Sequence, residues 1–234
     1  MGRSGSYYER DYPSIQRCGI QGWGNSLVDK LVESKIFREE NISILELGAS
    51  SGEHLTFVSR LPEWKEYVCL DLLPGITNRS LYQDILNNKD GKFPKVKFVI
   101  ADAQSLPFSD SSFDVVVATC LLAHVDQPEK VMQESRRVVK DGGQIVVGLP
   151  CDPGLINRFI KWVITFPKMR RQGIENPAVL YALEHQNPIH NLIALAKHIF
   201  QQDLTKFHYF PFKFHSWNLN LVTLLNVKVE KYRH

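Results

Sequence analysis

Short apolar runs alternate along this chain with longer amphipathic stretches. Residues 42–47, broken only by Ser43 and Glu46, predict a buried strand. Residues 67–71, 96–100, 115–119 and 144–149 repeat the form, and continuous apolarity is what a parallel strand covered on both faces requires. Between them lie helical patterns. Asn25 is placed to cap a helix to about residue 35, with Leu27, Val28, Leu31 and Val32 as its apolar stripe. Further helices are expected over 53–60 and 80–88. Another starts at Asp126-Gln127-Pro128, runs to about residue 140 and stops at Asp141-Gly142-Gly143. Beyond Pro150 the pattern loosens into helices over 155–166 and 178–185, a basic turn at 168–172, and a last helix over 191–202. Two strands follow, over 206–214 and 219–229. A strand feeding a glycine loop and then a helix, near residue 48, is the first unit of a doubly wound α/β sheet whose ligand lies at the carboxyl ends of the strands.

The chain's 234 residues suit a single domain over 1–234 with a substantial core. Cys18, Cys69, Cys120 and Cys151 have no paired spacing and three sit in or beside apolar runs, so they read as free thiols of a reducing, cytoplasmic setting rather than a metal site. Residues 1–17 are too polar for a signal peptide, and no run is long enough to span a membrane. Met1-Gly2-Arg3-Ser4-Gly5-Ser6 fits a myristoylation pattern but reads as a flexible Gly/Ser start. The net charge of +3 hides an asymmetry: residues 154–218 hold eight Lys/Arg against three acids, and the remainder 20 against 22. A basic segment of that kind points to an anionic partner or to a solvated helix surface.

The glycine loop narrows the ligand. In Glu46-Leu47-Gly48-Ala49-Ser50-Ser51-Gly52 the glycines stand four apart, without the G-x-G-x-x-G spacing of a dinucleotide fingerprint. An acid followed by G-x-G-x-G resembles the first motif of class I S-adenosylmethionine-dependent methyltransferases of the small-molecule type, with Ser50 in place of the middle glycine. The later landmarks follow in the family's order: Asp71 at the end of the second strand, Ala101-Asp102-Ala103, Leu106-Pro107-Phe108, and Gly142-Gly143 before the fifth strand. The likeness covers about half the chain. It implies a Rossmann-like, seven-stranded, mostly parallel sheet with an antiparallel last strand. It also implies S-adenosyl-L-methionine as cofactor, held by Glu46, Gly48, Ser50, Gly52, Asp71, Leu72, Asp102, Ala103 and Thr119. Asp71 would face the ribose hydroxyls and Asp102 the adenine amine. Residues 1–36 would form a lid and leading helix, and residues 151–190 a helical insertion capping the substrate.

Methyl transfer from a sulfonium is an in-line displacement governed by positioning. A hydroxyl acceptor also needs a base, and histidine suits neutral pH. His124, just beyond the fourth strand, is the first candidate; Asp152, after the fifth, is a second or an orienting group. Arg158, Arg170, Arg171, His185 and His190 are candidate substrate-binding residues in the cap, and the five-residue step from His185 to His190 argues against a metal. Residues 184–191, Glu-His-Gln-Asn-Pro-Ile-His-Asn, resemble methyltransferases of surface-polysaccharide biosynthesis, implying a small acceptor, anionic or sugar-linked. A homodimer is compatible with the sequence; nucleic acid is not expected, since no Asn-Pro-Pro-Tyr-type motif follows the fourth strand. Two other readings stay open at this point: a nicotinamide-dependent dehydrogenase on the same fold, and a cofactor-binding module without turnover.

Overall fold

The computed structural model describes residues 27–36, 39–50, 53–56, 64–72 and 95–231. The predicted helix over 80–88, the aromatic leading segment before residue 27 and Gly52 lie outside the described residues. A helix over 27–33 (α1) leads into strands β1 (Ser43–Leu47), β2 (Glu66–Asp71), β3 (Val96–Ile100) and β4 (Phe113–Thr119). After β4 come α2 (Pro128–Val138), β5 (Val139–Pro150), α3 (Leu155–Ile160), a π-turn (Lys161–Thr165) and α4 (Phe166–Arg171). Helices α5 (Pro177–Glu184) and α6 (Ile189–Ile199) and strands β6 (Leu204–Phe210) and β7 (Val222–Lys228) complete the order.

The seven strands align as β3-β2-β1-β4-β5-β7-β6. β1 to β5 pair in parallel, and β7 runs antiparallel between β5 and β6. Alternation along the strands makes two apolar layers. Leu45, Leu47, Val116, Ala118, Ile145 and Val147 face α2 and α6. Ile44, Val115, Val117 and Val146 face α1 through Val28 and Val32. Gly148 allows the close approach of α1, because a Cβ there would stand 2.7 Å from Val28 Cγ1. Chain order reverses between β1 and β4, so the carboxyl ends of these two strands open the crevice in which doubly wound sheets bind ligands.

Three expectations shift in detail. The segment Asp141-Gly142-Gly143 lies inside an extended strand instead of ending a helix, because α2 stops at Val138 and Val139 is already extended. Phe113 pairs with Val139 and Val115 with Gln144, so residues 140–143 form a bulge that Gly142 turns with φ +73°. The basic turn expected at 168–172 is helical through Arg171, since Pro167 follows a π-turn and sits in the first turn of α4, where its missing N–H is tolerated. The final strands are shorter than predicted. Buried Asn220 takes over the intervening loop, accepting from Phe212 N and donating to the carbonyls of Phe214 and Ser216.

Candidate functional site

The glycine loop turns where β1 ends. Gly48 holds φ +70°, and a Cβ on it would meet Leu121 Cδ1 at 2.9 Å, so both conformation and space call for glycine. The N–H groups of Gly48 and Ala49 donate to Leu70 O at 2.8 and 3.0 Å, folding the loop over the end of β2. Ser50, at φ 48°, donates its backbone N–H to Asp71 Oδ2 at 2.7 Å. Asp71 is thus at the crevice rim beside the loop, and Leu72 next to it is exposed.

Glu46 sits beneath the loop. Its Oε2 accepts from Tyr67 Oη at 2.9 Å, and that phenol oxygen lies 3.0 Å from His54 Nδ1. Burial alone would lower the pKa of His54, but the charge and hydrogen bond of Glu46, helped by Asp29 and Glu33, outweigh it and the net shift is upward. Glu46 therefore links the end of β1 to Tyr67 of β2 and to His54 just past the loop, inside the sheet layer.

The turn after β3 is braced by side chains. Asp102 accepts from Gln104 N at 2.8 Å and from Gln104 Nε2, while Gln104 Oε1 accepts from Gln127 N at the start of α2. Ala103 packs into the core, leaving its backbone to serve the turn. Glu134 accepts from Leu106 N, and Arg137 donates to the carbonyls of Leu106 and Phe108. At the end of β4 the hydroxyl of Thr119 is buried without a hydrogen-bond partner among the described residues. A buried orphan hydroxyl is costly. Its place at the end of β4, next to the end of β1 and its glycine-turned loop, fits a polar ligand such as S-adenosyl-L-methionine.

Past Cys120 (φ 58°), a short 3-10 turn (Leu121–Ala123) leads to His124. Burial pushes the Cys120 thiol up to about 12, which removes it as a thiolate at neutral pH. The cap closes on this turn. Asn187 donates Nδ2 to Leu122 O at 2.9 Å and to Val125 O at 2.6 Å. His185 meets His124 edge to face with ring centroids 4.4 Å apart, and Tyr181 stacks on His185 at 3.9 Å. Lys161 lies 4.0 Å from the Tyr181 ring and donates to Asp152 Oδ1. The Asp152 carboxylate is also 3.7 Å from His185 Nδ1, too far for a hydrogen bond. Burial, with the neighbouring His124 and Lys161, lowers the pKa of His185 to about 2, so its ring is neutral. Burial also lowers the pKa of Lys161, opposed by Asp152.

The structure thus gathers His124, Asp152 and His185 into one cluster. It leaves His190, Arg158, Arg170 and Arg171 on exposed positions of the cap. Lys161, Tyr181 and Asn187 complete the cluster without having been singled out from sequence. Asn187 falls in the string 184–191 that drew notice, whereas Lys161 and Tyr181 carry no local signal.

Residues 45–147 match a family described as "Methyltransferase domain". Among curated proteins, the thiol S-methyltransferase TMT1B of Mus musculus is 33% identical over 104 residues, 44% of this chain and 40% of that protein. The sterol 4-C-methyltransferase strm-1 of Caenorhabditis elegans is 32% identical over 125 residues, 50% of this chain and 33% of that protein. The chain therefore spans well under half the length of these relatives. The solved N-methyltransferase NodS of Bradyrhizobium japonicum WM9, in complex with S-adenosyl-L-homocysteine, shares the fold with a TM-score of 0.59 at 13% identity, covering 95% of this chain and 94% of its own.

Proposed function

We propose that the chain, whose residues 45–147 match the methyltransferase-domain family and whose fold NodS shares, is a class I S-adenosylmethionine-dependent methyltransferase that methylates a hydroxyl of a small sugar or glycan-linked acceptor. The observation that carries this reading is the cap cluster set on His124, just past the carboxyl end of β4. The cofactor, S-adenosyl-L-methionine, supplies an electrophilic methyl group on a sulfonium. Gly48 and Ser50 would give it backbone at close approach, Asp71 the ribose acceptors, Asp102 and the Ala103 backbone the adenine contacts, and Thr119 a buried hydroxyl. Leu72 would add apolar cover, and Glu46 would hold the loop from beneath. Of residues 1–36, the leading helix α1 packs on the sheet through Val28 and Val32, and the expected lid before it lies outside the described residues.

Among the candidate bases the chemistry favours His124. Asp152 is tied to Lys161, and a histidine with a pKa of about 2 accepts a proton too weakly to serve at neutral pH. His124 would take the acceptor's proton at a ring nitrogen. His185 and Tyr181 would fix the His124 ring, and Asp152 with Lys161 would hold the cap in register. The resemblance of residues 184–191 to methyltransferases of surface-polysaccharide biosynthesis supports a hydroxylated acceptor of that kind.

A thermal-shift screen with S-adenosyl-L-methionine, S-adenosyl-L-homocysteine and NAD tests the cofactor. The first two should stabilise the protein by mass action, and stabilisation by NAD alone would overturn the reading. Formation of S-adenosyl-L-homocysteine with sugar, amine and thiol acceptors tests the chemistry. Methyl on sulfur or nitrogen, and none on oxygen, would rule out the hydroxyl acceptor.

A further inference from the structure

The cap turns an apolar stripe outward. In the continuous helical stretch 155–171, Leu155, Phe159, Trp162 and Val163 fall at i, i+4, i+7 and i+8, one face of a helix. Trp162 is 73% exposed and Phe159 65%, an unusual placement for side chains of that size. Helix α5 adds exposed Val179 and Leu183, again four apart. The loop 211–221 abuts the start of α3, where Ile156 N donates to Asn218 O at 3.1 Å, and it exposes Phe212 and Phe214. Lys161, on the opposite side of the same helix, points inward to Asp152. The helix is amphipathic with its apolar face outward.

Charge identifies the occupant. Residues 155–171 carry five Lys/Arg and no acid. Arg158, Arg170 and Arg171 are exposed, and none is ion-paired among the described residues. Trp and Phe beside unneutralised arginines form the pattern of a helix that lies in the interfacial plane of an anionic bilayer. A second copy of the chain docking symmetrically on this face would set these arginines against their own images. We propose that the outer face of the cap, centred on Phe159 and Trp162 and rimmed by Arg158, Arg170 and Arg171, docks the protein peripherally on anionic lipid. Among the described residues no helix is long and apolar enough to cross a membrane, so the contact is interfacial. If the methyl-transfer reading also holds, the cap stands between bilayer and site, suited to an acceptor carried on a lipid.

Flotation with phosphatidylcholine vesicles, with and without phosphatidylglycerol, tests the docking on the full chain. The protein should float with the anionic vesicles, and its tryptophan emission should shift to the blue. Phe159→Ser with Trp162→Ser, and separately Arg170→Glu with Arg171→Glu, should each weaken anionic binding at least about tenfold. Both pairs are exposed, so an unchanged thermal midpoint and an unchanged S-adenosyl-L-methionine shift would show the fold and cofactor site intact. No binding to anionic vesicles, or binding indifferent to both pairs, overturns the proposal. So does a dimer in solution that Phe159→Ser with Trp162→Ser dissolves while vesicle binding is absent. Failure of the methyl-transfer reading would show in the cofactor shift and leave flotation unchanged.

Discussion

The crevice edge and the cap are built differently. At the edge, backbone N–H groups do most of the work: Gly48 and Ala49 on Leu70 O, Ser50 on Asp71, Gln104 on Asp102. These geometries follow from local residue types, a glycine with positive φ and an acid at a strand end. In the cap, side chains contact side chains, His124 with His185 across 61 residues and Lys161 with Asp152 across nine. A site with a backbone-built half and a side-chain-built half can keep its cofactor while its acceptor changes. Substitutions should separate the two halves, with edge variants reading out in cofactor affinity and cap variants in turnover and stability.

The largest separation is expected at His124. General-base assistance is typically worth about 10²–10⁴ in rate, so His124→Ala should lower kcat by that order and leave the affinity for S-adenosyl-L-methionine unchanged. Single-turnover measurement of S-adenosyl-L-homocysteine formation checks both. Near-normal turnover would shift the proton acceptor elsewhere, or indicate an acceptor that arrives deprotonated.

Next is the Asp152–Lys161 pair, whose side chains are only 12% and 13% exposed. Removing one partner of a buried pair costs about 3–5 kcal/mol, because the remaining charge is stranded. Lys161→Met should therefore cut stability by that amount in urea unfolding, and pairing it with Asp152→Asn should restore most of the loss. If the double variant were no more stable than Lys161→Met, the cost would come from packing against Tyr181 instead of from charge.

The edge was largely legible in the sequence, since its elements announce themselves locally. The runs at 42–47, 67–71, 96–100 and 115–119 became β1 to β4 with small shifts, and Gly48 and Asp71 sit where strand-end chemistry places them. The cap was legible only as an insertion with helices. Lys161 reads as one more residue of a basic surface until the fold turns it toward Asp152, and Tyr181 is an ordinary aromatic until it stacks on His185. The outward stripe was written at helical spacing as well. Which side of that helix faces solvent depends on what packs beneath it, and sequence periodicity does not report that.

At the edge itself, Asp71→Ala should weaken S-adenosyl-L-methionine at least about tenfold, since charge-assisted hydrogen bonds contribute about 1.5–3 kcal/mol each. Calorimetric titration measures it. The same variant also frees Ser50 N, so its thermal midpoint without cofactor gives the structural part of the loss. Equal cofactor affinity in a folded Asp71→Ala protein would place the ribose elsewhere.

The finest contrast comes from two histidines, His54 buried and His185 partly buried, shifted in opposite directions. His54, under the glycine loop, has a folded pKa above the ordinary 6.5, with Glu46 outweighing burial. Its contribution is fully present below about pH 6.5 and is lost as pH rises through the raised folded value. His185, in the cap, is held down to about 2 by burial. The fold keeps it neutral while the unfolded chain binds a proton, so it costs stability as pH falls below about 6.5, by at most about 1.4 kcal/mol per pH unit. Thermal midpoints between about pH 5 and pH 8.5 separate the two. The deficit of His54→Gln relative to the parent should shrink as pH rises. His185→Gln should instead gain on the parent as pH falls, because the variant has no ring to protonate. Parallel curves for both variants would mean that neither histidine changes charge between folded and unfolded states, and the electrostatic difference between edge and cap would then be absent.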